Sequence, residues 1–328
     1  MKKVLITGAA GFVGFHLAQE LAALDTYELF LVDNLQRGRM DPAFESLLNL
    51  ERVHFVKADL TDPSAFDGFP LDVDYIYHLA AVIGVQNVLE HPDRVLYVNA
   101  TTTLHLFEWA KQCTQLKRIL FSSTSEIYAG TLKHFGIDIP TPESVPLVLA
   151  DITDARTTYA LSKMYGESIC HNYGRKYGIP STIVRYHNVY GPRMGFKHVI
   201  PEMFVKITNQ PQIQVASPRH TRAFCYIDDA VHMTILLCEH EAAKGETFHV
   251  GNQEQEITIR ELVQEVAYAM DRSITIHEQS DTPGSPARRC PDTCRVQGIT
   301  GYIPQIPLAD GIRRTYSWYR DKLQDLYE

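Results

Sequence analysis

The sequence predicts an α/β fold built on a doubly wound parallel sheet, followed by a smaller α/β region. Short apolar segments alternate with longer segments of helical period from the N-terminus to Tyr186. A glycine-rich turn joins the first apolar segment to the first helical one, and beyond Asn188 prolines become frequent and the elements shorter. Because strands that alternate with helices pair in parallel through right-handed crossovers, we expect the first part of the chain to form one such sheet.

The elements of the first part follow one another in a regular order. Buried strands are predicted at 4–7, 29–32, 53–56, 73–77, 119–121 and 181–186, with helices at 12–24, 95–111 and 159–177. The stretch 131–154 contains Gly136 and three prolines. We therefore expect it to form a loop or partial helix near the mouth of the fold.

The second part of the chain is predicted to be less regular. A late helix is expected at 257–270, followed by a loop at 281–291 that is rich in proline and glycine. The segment 221–250 resembles a return to the parallel sheet. We therefore expect a first domain of residues 1–187 plus about 222–251 and a second of about 188–221 plus 252–328.

Composition and charge exclude several classes of function. The 328 residues suffice for about two domains, and 31 basic against 39 acidic side chains give a net charge of −8. This balance opposes binding to nucleic acid or to an anionic membrane. The sequence has no apolar stretch that could cross a bilayer, and its six cysteines are scattered without metal-ligand spacing. We expect a cytoplasmic protein with reduced thiols and without a metal site.

The glycine-rich turn predicts a phosphate-binding site. Gly8 permits a tight turn, Gly11 lets the backbone approach a pyrophosphate, and Gly14 lets the helix pack closely, while the helix N-terminus faces the anion. Asp33 lies 19 residues after Gly14, directly after the second strand. A carboxylate there accepts both ribose hydroxyls of NAD and repels the 2′-phosphate of NADP. Arg37 and Arg39 leave NADP open as an alternative.

Other cofactor contacts are expected at the carboxyl ends of the third and fourth strands, where ligands of parallel sheets bind. Asp59 and Leu60 follow the third strand and can flank an adenine ring. Leu79, Ala80 and Ala81 follow the fourth, where small side chains leave room for a dinucleotide. Each of these could equally be an ordinary core or loop residue.

The clearest catalytic signal is the pair Tyr159 and Lys163. Residues four apart share one face of a helix, so the ammonium can lie near the phenol and favour the phenolate. The pKa of a free tyrosine, near 10, is too high for an efficient base at neutral pH; the neighbouring lysine and the positive nicotinamide would lower it. Thr124, just past the fifth strand, supplies a hydroxyl that can bind the same substrate oxygen.

Together these motifs resemble the extended short-chain dehydrogenase/reductase family of NAD-dependent nucleotide-sugar epimerases and dehydratases, over almost the whole chain. The resemblance rests on the glycine turn, Asp33, Tyr159 with Lys163, and several further motifs. These are Asn99, Ser122-Ser123-Thr124, Arg185-Tyr186-His187-Asn188-Val189-Tyr190-Gly191-Pro192, Arg222-Ala-Phe224-x-x-Ile227-x-Asp229 and Arg289-Cys-Pro291-Asp292.

The resemblance implies a Rossmann-type NAD domain, a smaller domain that binds a nucleotide-diphosphate sugar, and a homodimer paired through helices 95–111 and 159–177. It implies that Asn188, Arg222 and Arg289 hold the diphosphate and nucleotide, with Ser125 at the sugar. Guanidinium groups suit such phosphates. The residues expected to contact the cofactor are Gly8, Gly11, Phe12, Val13, Gly14, Asp33, Asn34, Asp59, Leu60, Leu79, Ala80, Ala81, Asn99, Ser122, Tyr159, Lys163 and Tyr186.

By the same resemblance the reaction begins with oxidation at sugar C4, and the sequence leaves the later steps open. Glu126 resembles the C5 acid/base of sugar 4,6-dehydratases, and the run Thr124-Ser125-Glu126 resembles that of UDP-glucuronate decarboxylases. Ser125 stands where dehydratases of the dTDP-glucose type carry an aspartate. The GDP-mannose type tolerates serine but resembles an NADP user, which Asp33 opposes. We expect an epimerase or dehydratase that forms a 4-keto intermediate, with decarboxylation as the alternative.

A different class of function is a sensor or scaffold that binds a dinucleotide without turnover. Such a protein would be expected to have lost the tyrosine, the lysine or the hydroxyl residue. This chain retains Tyr159, Lys163 and Thr124, which favours an enzyme.

Overall fold

The computed structural model describes residues 1–282 and 286–325. The strands in these ranges are β1 (Lys2–Thr7), β2 (Tyr27–Asp33), β3 (Val53–Lys57), β4 (Tyr75–His78), β5 (Arg118–Thr124), β6 (Ser181–Tyr186), β7 (Val189–Tyr190), β8 (Gln212–Ala216), β9 (Thr221–Ala223), β10 (Cys225–Tyr226), β11 (Thr247–Val250), β12 (Glu256–Thr258), β13 (Thr275–Gln279) and β14 (Arg288–Arg289).

The α-helices of the described residues are α1 (Phe12–Ala22), α2 (Pro42–Leu48), α3 (Val85–Glu90), α4 (Pro92–Ala110), α5 (Ala129–Phe135), α6 (Thr158–Tyr177), α7 (Val199–Asn209), α8 (Ile227–Glu239), α9 (Ile259–Ala269), α10 (Cys294–Thr300) and α11 (Leu308–Asp325). Single-turn 3₁₀ helices include Ser125–Tyr128, directly after β5. None of the described helices is both long enough and apolar enough to cross a membrane.

The main sheet confirms the predicted fold class. Its seven strands in the described residues are all parallel, in the order β3-β2-β1-β4-β5-β6-β11. The strand order reverses between β1 and β4, which leaves a cleft at their carboxyl ends where such sheets bind ligands. Thr7 pairs with His78 across these two strands, so the glycine turn lies beside the end of β4.

Helices cover both faces of the sheet because its strands are apolar on both sides. Ile6, Leu31 and Leu120 belong to one buried cluster, while Leu5 and Ile76 belong to another. Alternate residues of a strand point to opposite faces, so near-continuous apolar runs require two covering layers. The helices α4 and α6 pack against each other on one side of the sheet.

The segment 221–250 only partly follows the prediction. β11 joins the main sheet beside β6, as expected. β9, however, pairs with β12 and β14 in a separate three-stranded sheet. Such a short strand has too few residues for its hydrophobic pattern to indicate a partner. The division of the chain into two domains stays a prediction.

The stretch 131–158 packs against the segment that carries Arg289. It starts within α5 and then runs irregularly to Thr141, which forms a parallel bridge with Pro291. The Thr141 N–H donates to the Cys290 carbonyl (2.9 Å), and the Asp292 N–H donates to the Thr141 carbonyl (2.8 Å). This stretch therefore fixes the backbone on either side of Pro291, next to the Arg289 side chain.

Candidate active site

The glycine turn is built so that a phosphate can approach its backbone. Gly8 has a positive φ of 71°, and a Cβ on it would lie 2.8 Å from the Ala80 nitrogen; a Cβ on Gly14 would lie 2.2 Å from the Gly8 oxygen. Helix α1 begins after Gly11, and no side chain caps it. Its first N–H groups are thus available to an anion. Phe12 and Val13, in this first turn, are half-buried.

Asp33 ends β2 beside this turn and is only 8% exposed. Its carboxylate accepts the N–H of Ala10 (3.0 Å) and of Leu35 (2.8 Å). Burial raises the pKa of Asp33, while these two hydrogen bonds oppose the rise. The Arg37 guanidinium donates to the Ile83 carbonyl (3.2 Å) and interacts electrostatically with Tyr159, so it reaches into the cleft.

Loops after β2, β3 and β4 complete the dinucleotide side of the cleft. Asn34, after β2, lowers the pKa of Asp59, after β3, so the two side chains lie near each other, and Leu60 is buried. After β4, the small or apolar residues Leu79, Ala80 and Ala81 are half-buried. Uncapped helical N–H groups, a ribose-facing carboxylate and a floor of small residues fit NAD.

His78 and Asn99 hold this region together from within the protein. Thr7 Oγ1 and Thr103 Oγ1 lie 2.8 and 3.1 Å from the two ring nitrogens of the buried His78, which acts as a packing residue. The Asn99 amide donates to the Val82 carbonyl and the Ser162 hydroxyl and accepts the Val82 N–H. Asn99 therefore ties the loop after β4 to α6, one residue before Lys163.

The predicted catalytic residues meet where β5 ends and α6 begins. The Thr124 hydroxyl lies close enough to the half-buried phenol of Tyr159 to lower its pKa. The Lys163 ammonium is 5.9 Å from the Tyr159 ring centre and donates to the Ser122 hydroxyl at 3.5 Å. Ser122 in turn donates to the His78 carbonyl (2.9 Å). These contacts link β4, β5 and α6 into one site.

The predicted lowering of the phenol pKa is not found in the protein alone. Burial and the charge of Glu126 raise the pKa of Tyr159, although Thr124 and Arg37 oppose the rise. Burial lowers the pKa of Lys163 to about 8, since Cys170 and Glu167 only partly compensate. The spacing of the pair carried no information on desolvation, which dominates here.

Glu126 forms an ion pair with Arg289 that no spacing in the sequence suggested. The distance from Arg289 Nη1 to Glu126 Oε1 is 2.5 Å, and Nη2 lies 3.5 Å from Oε2. The charge of Arg289 lowers the pKa of Glu126 against the effect of burial. Glu126 is only two residues after Thr124, so the guanidinium is held close to the reacting hydroxyls. Ser125, which lies between Thr124 and Glu126 in the sequence, is buried.

The remaining predicted substrate residues lie near Arg289. Arg222 on β9 is the direct partner of Arg289 on β14. Burial, with the nearby charge of Arg289, lowers the pKa of Arg222 to about 10. The Asn188 amide donates to the Ala223 carbonyl (3.0 Å), which places Asn188 beside β9. The hydroxyl of Tyr186 hydrogen-bonds Thr234 on α8, which leaves its ring as the part that can meet a cofactor.

Two residues of the site escaped the sequence interpretation as contributors. Arg37 was considered only in relation to NADP, and its reach toward Tyr159 depends on the fold of the loop after β2. His187 stands inside a quoted motif, but only the tertiary structure shows that it lines a pocket with Ser125 and Arg289. Within residues 1–282 and 286–325, no group of three or more His, Cys, Asp or Glu side chains could hold a metal ion.

Comparison with known proteins gives consistent matches. Residues 4–251 match the model of the NAD dependent epimerase/dehydratase family. The chain is 30% identical over 313 residues to UDP-glucuronic acid decarboxylase 5 of Arabidopsis thaliana, covering 94% of this chain and 87% of that protein. It is 28% identical to UDP-N-acetyl-alpha-D-glucosaminuronate decarboxylase of Bacillus cytotoxicus, over 98% of both chains.

The fold is also similar to solved structures. One is UDP-glucuronic acid 4-epimerase from Bacillus cereus in complex with UDP-glucuronic acid and NAD. The TM-score is 0.80 at 25% identity, and the alignment covers 99% of this chain and 100% of that one.

Proposed function

This chain belongs to the NAD-dependent epimerase/dehydratase family, and on that basis we propose that it converts a nucleotide-linked uronic acid into the corresponding pentose by decarboxylation. It is an NAD-dependent nucleotide-sugar enzyme that oxidises C4 of the sugar to a 4-keto intermediate. The proposal concerns the step that follows: loss of the C6 carboxyl group as carbon dioxide. The observation that carries it is the Glu126–Arg289 ion pair beside Thr124.

The residues of the cleft would hold the cofactor in a defined orientation. The uncapped N-terminus of α1 would face the diphosphate, and Asp33, which accepts the Ala10 N–H, would also accept the ribose hydroxyls. When bound, NAD accepts a hydride from C4 and returns it at the end of the cycle. Tyr159 removes the proton of the C4 hydroxyl, and Thr124 hydrogen-bonds the same oxygen.

Oxidation at C4 makes the carboxyl group labile. In the 4-keto uronic acid the ketone is β to the C6 carboxylate, so the bond from C5 to C6 can break with its electron pair moving into a C4–C5 enolate. Carbon dioxide leaves, and the Tyr159 and Thr124 hydroxyls stabilise the enolate oxygen. C5 then takes a proton, and reduction of the ketone regenerates the C4 alcohol. The overall reaction is redox-neutral and releases one carbon dioxide per sugar.

The ion pair indicates how the carboxylate is recognised. Arg289 already binds the carboxylate of Glu126. The Glu126 side chain is 48% exposed, so another carboxylate can displace it from Arg289. The carboxylate of a substrate can therefore take over the same guanidinium, in the bidentate geometry that arginine favours. We assign Arg289 to the sugar carboxylate and its strand partner Arg222, with Asn188, to the diphosphate.

A second candidate is 4-epimerisation of the same class of substrate. The structural similarity to a UDP-glucuronic acid 4-epimerase supports it. Epimerisation uses the same C4 oxidation but requires the 4-keto sugar to turn before reduction, and it requires the carboxyl group to stay in place. The two reactions therefore differ in the mass of the product.

A direct assay distinguishes these outcomes. The protein is incubated with NAD and UDP-glucuronic acid, and in parallel with UDP-glucose, and the products are followed by mass spectrometry and proton NMR. We expect loss of carbon dioxide from the acid and no turnover of the neutral sugar. An unchanged mass with an inverted C4 would establish the epimerase instead, and loss of water would establish a dehydratase.

We also propose that the protein is a homodimer paired through α4 and α6. Tyr97 on α4 is 60% exposed and Tyr165 on α6 is 41% exposed, on two helices that pack side by side. Large aromatic side chains are enriched at such interfaces. Sedimentation of the NAD-loaded protein should give a dimer, and Tyr97→Glu with Tyr165→Glu should give a monomer. The cytoplasmic location stays a prediction.

A further inference from the structure

His187, directly after β6, has an unusual environment for a buried histidine. It is 1% exposed, and neither of its ring nitrogens has a hydrogen-bond partner in the described part of the chain. Its own N–H bonds the Val250 carbonyl (2.9 Å), so its backbone is fixed. Buried polar groups are nearly always hydrogen-bonded, and an exception calls for an explanation such as a missing ligand.

The neighbouring His249 shows how the ring nitrogens of an equally buried histidine are hydrogen-bonded. One ring nitrogen of His249 lies 2.7 Å from the Tyr128 hydroxyl, and the other lies 2.9 Å from the Asp292 carbonyl. The rings of His187 and His249 stand edge to face, with centres 4.6 Å apart. Because both nitrogens of His249 are occupied, His249 cannot serve as the partner of His187.

The ring of His187 lines a narrow pocket at the carboxyl ends of β5 and β6. Its other walls are Ser125, Tyr128, Ala129, Leu132, Ile137, Thr141, Pro286, Arg288 and Arg289. The pocket thus adjoins both the residue after Thr124 and the arginine that we assign to the sugar carboxylate. Apart from the two arginines, its lining is neutral.

His187 stays uncharged in this setting. Burial and the charges around it, including those of Arg289 and Arg185, hold its pKa well below the ordinary value. A neutral imidazole offers one N–H donor and one acceptor nitrogen. Each carboxylate oxygen has two lone pairs, so both oxygens can meet the Arg289 guanidinium while one of them also accepts the imidazole N–H.

We propose that His187 is a specificity-determining residue, which donates a ring N–H to the carboxylate of the uronic acid substrate beside Arg289. This inference rests on the proposed function, because it assumes that the substrate is an acid. A neutral donor suits the reaction: a second cation would stabilise the carboxylate and hinder its departure as uncharged carbon dioxide. An imidazole orients the group without adding charge.

Ligand binding tests the assignment without turnover. NAD-loaded Tyr159→Phe protein is titrated calorimetrically with UDP-glucuronic acid, UDP-glucose and UDP. The titrations are repeated with two double variants, which carry His187→Phe or His187→Asn in addition to Tyr159→Phe. We expect His187→Phe to weaken binding of the acid by about tenfold, as for one lost hydrogen bond to a charged group. Binding of UDP-glucose and UDP should stay within about twofold. His187→Asn, which keeps a neutral donor, should restore part of the affinity for the acid.

Three results would overturn the inference in distinguishable ways. If His187→Phe leaves the affinity for the acid unchanged, the ring binds only a fixed water molecule. If it weakens all three ligands equally, the role of His187 is structural. If the protein with His187 intact does not prefer UDP-glucuronic acid to UDP-glucose, the proposed function itself fails, and the inference fails with it.

Discussion

Arg222 and Arg289 occupy paired positions on the parallel strands β9 and β14, so two guanidinium groups are held side by side at the mouth of the cleft. Their charges act on each other, and the pKa of the half-buried Arg222 falls to about 10 through burial and the nearby Arg289. Glu126 forms an ion pair with Arg289, and its charge also acts on Arg222. Two cations held together in this way create a strong site for an anionic ligand.

Replacement of Arg222 should weaken substrate binding selectively. We expect Arg222→Gln to raise the KM for the UDP-sugar and the inhibition constant of UDP by about tenfold or more, because a charge-assisted hydrogen bond to phosphate is lost. Steady-state kinetics with UDP as competitor measures both. Arg260→Gln is the matched control, because Arg260 on α9 pairs with Glu278 at the surface. Equal effects of the two variants would contradict the assignment.

Removal of the Tyr159 hydroxyl should abolish chemistry and spare binding. The phenol lies near Thr124 at the end of β5, where the C4 hydroxyl would lie. We expect Tyr159→Phe to lower kcat by about 10²–10⁴-fold, the range for loss of a general base. The affinity for NAD, measured by fluorescence titration, should change little. Unchanged turnover would remove Tyr159 from the mechanism.

The parallel sheet was predictable because its strands are buried on both faces and therefore stand out as apolar runs. All six predicted strands and the helices α4 and α6 are present, with ends shifted by a few residues. The glycine turn and the Tyr159–Lys163 pair were visible because their partners lie within a few residues or one crossover. Each depends on local spacing that the sequence records directly.

The substrate side could not be predicted in the same detail. The contact of Arg289 with Glu126 joins residues 163 positions apart, and the pairing of Arg289 with Arg222 depends on the register of a short sheet. The orphaned ring of His187 follows from what surrounds it, which spacing does not report. The pKa of Tyr159 likewise depends on burial and on the charge of Glu126, neither of which the spacing of Tyr159 and Lys163 reports.

The structure bears on the expected role of Glu126 as the acid/base at C5 of the sugar. Its carboxylate is ionised because Arg289 lowers its pKa, and a substrate carboxylate that takes over Arg289 would set it free. We expect Glu126→Gln to suppress incorporation of solvent deuterium at C5, whereas transient reduction of NAD, seen by absorbance, persists. Glu126→Asp should retain part of the exchange. Unaltered exchange in Glu126→Gln would leave Glu126 with only the positioning of Arg289.

Burial of Lys163 should produce a measurable pH dependence of stability in the cofactor-free protein. The side chain is 4% exposed, and its pKa falls from 10.5 to about 8 in the fold. Between these values the unfolded chain binds more protons than the folded protein. The free energy of unfolding therefore rises with pH over this range. Below about pH 8 the buried ammonium is charged and destabilises the fold.

Lys163→Met removes this titration while filling the same space. We expect the variant to be the more stable protein near pH 7, and its advantage to shrink by about 3 kcal/mol by pH 10.5, where the lysine is neutral in the folded protein and half protonated in the unfolded chain. Urea unfolding of both proteins across this range measures the difference. Lys133→Met, on the surface helix α5, is the control and should show no such trend. A constant difference between Lys163→Met and the native protein would show that the ammonium stays charged in the fold, because solvent or a bound anion compensates its burial.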